Sequence, residues 1–156
     1  MALRLTRRRR TEILVESDRS VALDLAALIE GEAEATDLSA PRQGLVMCEV
    51  RETARNSRFY LGEALMSESR VRIGDADGLG VVLGDDDELA RALAVVDAAY
   101  ALAVPLSCMV EVDERMRAAE GALERRRARD ERRTMTSRVS FDSMGGQDMR
   151  AQGVVR

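Results

Sequence analysis

The sequence predicts an α+β fold with N-terminal helices, a four-stranded antiparallel meander, two long C-terminal helices and a short C-terminal extended tail. Apolar residues between positions 13 and 29 recur with helical spacing, and those between 45 and 83 largely alternate with a period of two. Helical spacing returns from 89 to 123. The alternating segments are joined by short connections, which favour antiparallel pairing because parallel strands need long crossovers.

Two helices are expected before the first strand. The first covers residues 7 to 16, and Ser17 or Asp18 is a suitable N-cap for the second. The second helix is expected to end near residue 33, and a polar linker then leads to Pro41. Its apolar stripe consists of Val21, Leu25, Leu28 and Ile29.

Four strands are expected in the middle of the chain. Residues 51 to 57 predict one turn, and Asp75-Ala76-Asp77-Gly78 predicts another, because glycine accepts a positive φ and aspartate tolerates it. The predicted strands are residues 45–50, 59–65, 70–73 and 79–83.

Two long helices are expected after the strands. The first covers residues 86 to 103 and is apolar on most sides, so we expect it to lie across the sheet. Val104-Pro105 marks a break, because a residue before proline avoids the helical region. The second covers residues 106 to 133. Its apolar residues form a seam for another helix: Met109, Val112, Met116, Ala119 and Leu123.

Composition restricts the possible functions. The chain has no histidine and no lysine, and all 24 of its basic side chains are arginine. Histidine serves most general acid–base catalysis, lysine is the usual Schiff-base nucleophile, and arginine stays charged. We therefore expect a structural or binding subunit with no catalytic residue and no cofactor.

Charge, cysteine content and hydropathy limit the partners and the location. A net charge of −4 argues against a general nucleic-acid binder. Cys48 and Cys108 lie far apart in a chain without histidine, so no zinc site is expected. No apolar run approaches the ~18 residues of a membrane span, and the start lacks a signal peptide's apolar stretch. We therefore expect a cytoplasmic protein.

Acidic and glycine-rich segments are candidate ligand sites. Asp85-Asp86-Asp87-Glu88 could bind Mg²⁺ through its carboxylates or cap the following helix, and capping is favoured because consecutive residues rarely converge on one ion. Asp75-Ala76-Asp77-Gly78 lacks the later glutamate of a calcium loop. Gly78-Leu79-Gly80 precedes a strand and not a helix, so it is not a dinucleotide-binding motif.

Two arginine clusters and one cysteine complete the candidates. Arg7 to Arg10 and Arg125 to Arg133 are interpreted as solvated faces, and the alternative is a docking patch for an acidic protein or a phosphate-bearing ligand. Cys48 follows apolar residues in a predicted strand and is expected to be an inert core thiol.

Several local runs, in this order, resemble the PhnG family, a small subunit of the bacterial carbon–phosphorus lyase system. The run from Thr136 to Met144 is similar to the family's characteristic ending. The remaining matching pieces are Gly44-Leu45-Val46, Phe59-Tyr60-Leu61-Gly62-Glu63, Val71-Arg72-Ile73, the run from Gly78 to Gly84, and the run from Ala94 to Ala99.

The resemblance implies a function and a set of partners. It implies a non-catalytic subunit that supports PhnI-type formation of ribose 1-(alkyl)phosphonate 5-triphosphate from ATP and a phosphonate. The implied partners are PhnI-like, PhnH-like and PhnJ-like subunits. Because the family has no assigned catalytic residue in this subunit, none is expected here. The residues expected to contact a partner are Arg138, Val139, Phe141 and Met144.

Domain organisation and two alternative functions follow. We expect one domain over residues 1–146, with 1–8 disordered, and a disordered tail over 147–156. One alternative is a free-standing homo-oligomeric binding module, a possible homodimer, which would use the seam between Met109 and Leu123. The other is a Mg²⁺-dependent phosphoryl-transfer domain that would use the aspartates of residues 85–87.

Overall fold

The computed structural model describes residues 5–136. This part of the chain contains four helices and one three-stranded antiparallel sheet, so the predicted α+β class is confirmed and the predicted number of strands is wrong. The elements in chain order are α1 (Arg7–Glu16), α2 (Arg19–Glu30), β1 (Ala35–Arg51), β2 (Arg58–Ile73), β3 (Ala76–Leu83), α3 (Asp87–Ala101) and α4 (Met109–Thr136).

The meander has three strands because the predicted strands 59–65 and 70–73 are one continuous strand, β2. The residues between the two predicted strands include the polar Ser67, Glu68 and Ser69. Ser67 and Ser69 are nevertheless fully buried, on the same face of β2 as Val71. The Ser67 hydroxyl donates to the carbonyl of Gly84 and accepts from the backbone N–H of Asp86, so its burial leaves no unpaired hydroxyl.

Strand β1 is longer than predicted. It begins at Ala35, so the segment expected to be a polar linker is part of the strand. Pro41 lies within it, between two residues that mark a shift of register, Ser39 and Arg42. Proline lacks the backbone N–H of a strand interior and is therefore tolerated at an edge or irregularity. Strand β1 is such an edge, because the sheet order is β1-β2-β3.

Helix α3 packs unusually closely on strand β3. A Cβ built on Gly78 would lie 2.0 Å from the carbonyl oxygen of Ala94, and one built on Gly80 would lie 1.9 Å from that of Ala90. The glycines are one strand period apart and the alanines one helical turn apart, so the two small-residue rows face each other. The Gly78-Leu79-Gly80 motif, which lies within β3, therefore allows α3 to approach the sheet closely.

The apolar stripe of α4 lies in the chain's own core. All five residues of the predicted seam, from Met109 to Leu123, are buried. The surface that the homo-oligomeric alternative requires is thus already occupied. The chain divides into two compact units, and residues 124–136, the described part of the second, are the remaining turns of α4. The largest fully buried apolar side chains are Ile13, Leu25, Ile29, Ile73, Met116, Val71, Val95, Val96 and Val112.

Candidate partner interface

The residues that the sequence singled out for partner contact are not in the described part of the chain. Arg138, Val139, Phe141 and Met144 all follow Thr136, where the description ends. Their role therefore stays a prediction.

The acidic cluster at the start of α3 caps that helix. Asp86 accepts from the backbone N–H of Leu89 at 2.9 Å and forms a two-bond pair with Arg19 at 2.8 and 3.0 Å. The hydrogen bond from Arg19 holds the pKa of Asp86 below its usual value. Arg19 also binds Glu88, and Asp85 contacts Gln43. Asp86 and Glu88 thus share Arg19 as a partner, and Asp85 has Gln43.

The arrangement of the carboxylates at residues 85–88 does not support a metal site. Nowhere between residues 5 and 136 do three or more histidine, cysteine, aspartate or glutamate side chains lie in a group that could hold an ion. The β2–β3 turn consists of Gly74, at φ 56°, and Asp75, so the turn predicted over residues 75–78 is misplaced, because Ala76, Asp77 and Gly78 belong to β3. Asp77 pairs with Arg72 at 2.5 and 2.8 Å, which lowers the pKa of Asp77. Asp86, Glu88 and Asp77 are therefore engaged in a helix cap or in ion pairs.

The N-terminal arginine run ties α1 to the rest of the fold. Arg7 forms two bonds to Asp97 at 2.8 and 2.5 Å, and Arg9 binds Glu120 at 2.7 Å. The Arg10 guanidinium lies 4.0 Å from the centroid of the Tyr100 ring, a cation–π contact. Three of the four arginines thus bind groups of the same chain. The prediction of a solvated face is therefore wrong for Arg9 and Arg10, which are partly buried, whereas Arg7 is exposed as predicted.

Cys108 belongs to a structural cap. Glu32 accepts the backbone N–H groups of Ser107 and Cys108 at 2.7 and 2.8 Å, just before α4 begins. These bonds lower the pKa of Glu32 to about 2. Burial, reinforced by Glu32, raises the pKa of the Cys108 thiol to about 11. At neutral pH the thiol is protonated and a poor nucleophile.

The main uncovered feature is the far end of the β1–β2 hairpin. Strand β3 ends opposite Met66, so residues 44–51 and 58–65 form a two-stranded ribbon without a third strand. We call this ribbon the apolar arm. Neither of its outer edges is paired with another strand of the described chain.

The apolar arm continues the face on which α3 packs. Glycines 78 and 80 face α3, and their cross-strand partners Val71 and Ser69 share that side of the sheet. By alternation along β2, Leu65 lies on the same side. Its partner on β1 is Leu45, and both are exposed. The core face therefore extends beyond the helix that covers it elsewhere.

The opposite face of the arm is also apolar near its base. Val46 is paired with Ala64 on that side and is 55% exposed. Cys48 lies on the arm and is only half-buried, so the prediction of a core thiol is wrong. The exposed large apolar side chains of the arm are Leu45, Val46, Met47, Val50, Phe59, Tyr60, Leu61 and Leu65.

The turn at the end of the arm is held by Glu52. Its carboxylate accepts from the backbone N–H of Arg55 at 3.2 Å and from the hydroxyl of Ser57 at 2.9 Å. Asn56 adopts a positive φ of 58°, which asparagine tolerates better than most residues. The turn is therefore ordered by its own side chains, and it places Arg51 and Arg55 at the end of the arm.

The sequence contained one signal for this surface. Leu45-Val46-Met47 is a continuous apolar run, and such runs are typical of strands buried on both faces. Among residues 5–136, helix α3 packs on one face of the sheet. Leu45, Val46 and Met47 place apolar side chains on both faces of β1, and these residues stay exposed in the described part of the chain.

The fold and this surface define a class of protein. An α+β body with its own core displays an uncovered apolar arm, and contiguous exposed apolar patches mark protein–protein contact sites. The chain is thus of the class whose surface is built for assembly. No helix within residues 5–136 is long and apolar enough to cross a membrane.

Comparison with known proteins gives the family. The family model described as "Phosphonate metabolism protein PhnG" matches residues 5–146, and the chain belongs to this family. A curated relative from Rhizobium meliloti (strain 1021) is 32% identical over 117 residues. The match covers 74% of this chain and 73% of the relative. That relative is named alpha-D-ribose 1-methylphosphonate 5-triphosphate synthase subunit PhnG.

Proposed function

We propose that this chain is a non-catalytic subunit of a synthase that forms ribose 1-(alkyl)phosphonate 5-triphosphate in phosphonate breakdown. Membership of the PhnG family and the relative's name as a synthase subunit support this proposal. The residue composition supports it as well, because a chain without histidine and lysine lacks the usual proton-transfer and amine groups of catalysis.

The apolar arm is the observation that favours a subunit over a free-standing protein. Leu61 is 70% exposed and Tyr60 is 63% exposed, on a ribbon that the other residues between 5 and 136 leave uncovered. Exposed apolar strand edges favour aggregation, and natural proteins normally protect them. In a permanent complex, the neighbouring subunits cover such edges.

The proposed partners are PhnI-like, PhnH-like and PhnJ-like subunits of the same assembly, in the cytoplasm. The active site of the assembly lies on another subunit in this proposal. The chain supports the active neighbour by contact. Residues Arg138, Val139, Phe141 and Met144 are proposed to add to that contact from the tail, and replacing Phe141 with alanine is expected to weaken assembly while the fold is kept.

Co-expression tests the proposal. The chain, with an affinity tag, is produced together with the three proposed partners, and the mass of the intact purified assembly is measured. The proposal expects the chain to purify with at least one partner, and expects turnover of ATP and methylphosphonate only with partners present. A chain that purifies alone under these conditions contradicts it. So does turnover by the chain alone that is lost on replacing Asp85, Asp86 or Asp87 by asparagine.

A further inference from the structure

We propose that the apolar arm inserts into an apolar groove of a partner subunit, and that the groove has carboxylates at the end that receives Arg51 and Arg55. This inference rests on the proposed function, because it requires a hetero-oligomer. Beyond the proposed function, the inference specifies three features of the contact. These are the part of the chain that is enclosed, the chemistry of the partner surface that encloses it, and the direction in which the arm enters.

The geometry of the arm requires cover on more than one side. A two-stranded ribbon alone is only marginally stable in water. Here the ribbon has exposed apolar side chains on both faces, with Leu45 and Leu65 on one and Val46 on the other. A flat surface would cover one face and leave the other in water. A groove that surrounds the ribbon removes both faces from solvent.

The residue types of the arm are those of interface centres. Interface cores are enriched in aromatic residues, methionine and arginine. Two of the chain's four aromatic residues, Phe59 and Tyr60, are adjacent on the arm, and Met47 is on the facing strand. Residues 44–48 and 59–62 contain no charged side chain, which leaves a continuous apolar section behind the end of the arm.

The charges at the end of the arm indicate the sign of the groove. Arg58 pairs with Glu49 at 3.1 Å, and the carboxylate of Glu52 is used within the turn. The guanidinium groups of Arg51 and Arg55 have no carboxylate partner among residues 5–136. Two exposed, unneutralised arginines are complementary to carboxylates on the surface that receives them.

A second copy of the chain fits the arm less well. In a two-fold symmetric contact the same patch of each copy meets its equivalent. Two arms stacked in this way would cover one face of each ribbon and leave the other face exposed. The observations therefore favour a different chain as the occupant.

The first test replaces an apolar arm residue with a charge. Leu61→Glu and Val110→Glu change residues that are each 70% exposed, one on the arm and one at the start of α4. Each variant is co-expressed with an equal amount of wild-type chain and the three partner subunits. Mass spectrometry then gives the ratio of variant to wild type in the assembly and in the total soluble protein.

We expect Leu61→Glu to be depleted from the assembly by about 30-fold or more, which is the loss in affinity typical of an interface hot spot. Val110→Glu should stay within about twofold of wild type, because the change lies outside the arm.

The second test reverses the charges at the end of the arm. A variant with Arg51→Glu and Arg55→Glu keeps every apolar residue of the ribbon, and Arg8→Glu is the matched control on the exposed surface of α1. We expect the double variant to be depleted by about tenfold or more, and Arg8→Glu to be incorporated like wild type. Circular dichroism of each variant checks that the helices are retained.

The outcomes separate this inference from the proposed function. If wild-type chain enters the assembly and both arm variants enter equally well, the arm is not the inserted element and the inference fails alone. If the wild-type chain binds none of the three partner subunits, both this inference and the proposed function fail. A homodimer of the isolated chain that Leu61→Glu dissociates would identify a second copy as the occupant and would also overturn the inference.

Discussion

Gly80 lies against the backbone of Ala90, so closely that a Cβ on Gly80 would be 1.9 Å from the Ala90 carbonyl oxygen. The obstacle is backbone of a buried helix, which cannot rotate away as a side chain can. Gly80→Ala should therefore force α3 from the sheet and lower the free energy of unfolding by about 1–3 kcal/mol. Urea denaturation measures this loss.

Gly44 supplies the control for that substitution. A Cβ built there meets nothing within 4 Å, and the residue does not have a positive φ. Gly44→Ala should leave the free energy of unfolding unchanged or raise it by about 0.4–1 kcal/mol, because alanine restricts the unfolded chain. Equal losses from Gly44→Ala and Gly80→Ala would show that the close helix–strand contact is not what constrains position 80.

The Tyr100 hydroxyl joins α3 to α4. It donates a 2.5 Å hydrogen bond to Asp113, and Tyr100 is buried. Tyr100→Phe should reduce the free energy of unfolding by about 0.5–1.5 kcal/mol, and the loss should be smaller when Asp113 is already asparagine. Tyr60→Phe removes a hydroxyl from an exposed ring and should change stability by less than about 0.5 kcal/mol. A Tyr100→Phe effect that is independent of residue 113 would exclude the bond as its cause.

Asp97 accepts two kinds of hydrogen bond. It binds the Arg7 guanidinium and also the backbone N–H of Leu79 at 3.1 Å. Asparagine keeps an acceptor for Leu79, whereas alanine keeps neither bond. We expect Asp97→Ala to cost about 1 kcal/mol more than Asp97→Asn in chemical denaturation. Arg7→Ala should cost less than about 1 kcal/mol, because exposed ion pairs contribute little. The account of Asp97 is wrong if the two Asp97 variants are equally stable.

Glu32 gives a pH-dependent contribution to stability. Its pKa falls from 4.5 to about 2 on folding, because the backbone N–H groups of Ser107 and Cys108 bind the charged form. The stabilisation should be complete above pH 4.5 and should be lost as the pH falls towards 2. The difference in unfolding free energy between wild type and Glu32→Gln should therefore shrink over that interval. Glu34→Gln, a change at an exposed neighbour, should show a small difference at every pH. A Glu32→Gln difference that is constant from pH 7 to pH 3 would refute this role.

Much of the helical structure follows from the sequence. The apolar stripe of α2, the aspartate cap of α3 and the break at Val104-Pro105 each correspond to a local physical rule, and the structure confirms the predicted helices. The strands were predicted less well, because local polarity does not show that a small polar side chain is buried. Ser67 and Ser69 are buried under α3, and Pro41 is accommodated at an edge.

The candidate interface could be predicted only in part. The residues of the arm were recognised as strands, but an alternating or continuous apolar run predicts burial without specifying what covers it. Cys48 illustrates this limit, since the residues that precede it, Leu45, Val46 and Met47, are apolar and yet exposed. Which elements pack over a strand is decided by the whole fold. Here the arm is exposed because β3 and α3 end before they reach it.

The central claim is that the apolar arm is exposed in the isolated chain and enclosed in the assembly. Hydrogen–deuterium exchange of the backbone amides tests it most directly, in the isolated chain and in the purified complex. The account predicts rapid exchange in residues 44–51 and 58–65 of the isolated chain and strong protection of both segments in the complex, while the exchange of β3 and α3 changes little. Equal exchange of the arm in both samples would contradict it.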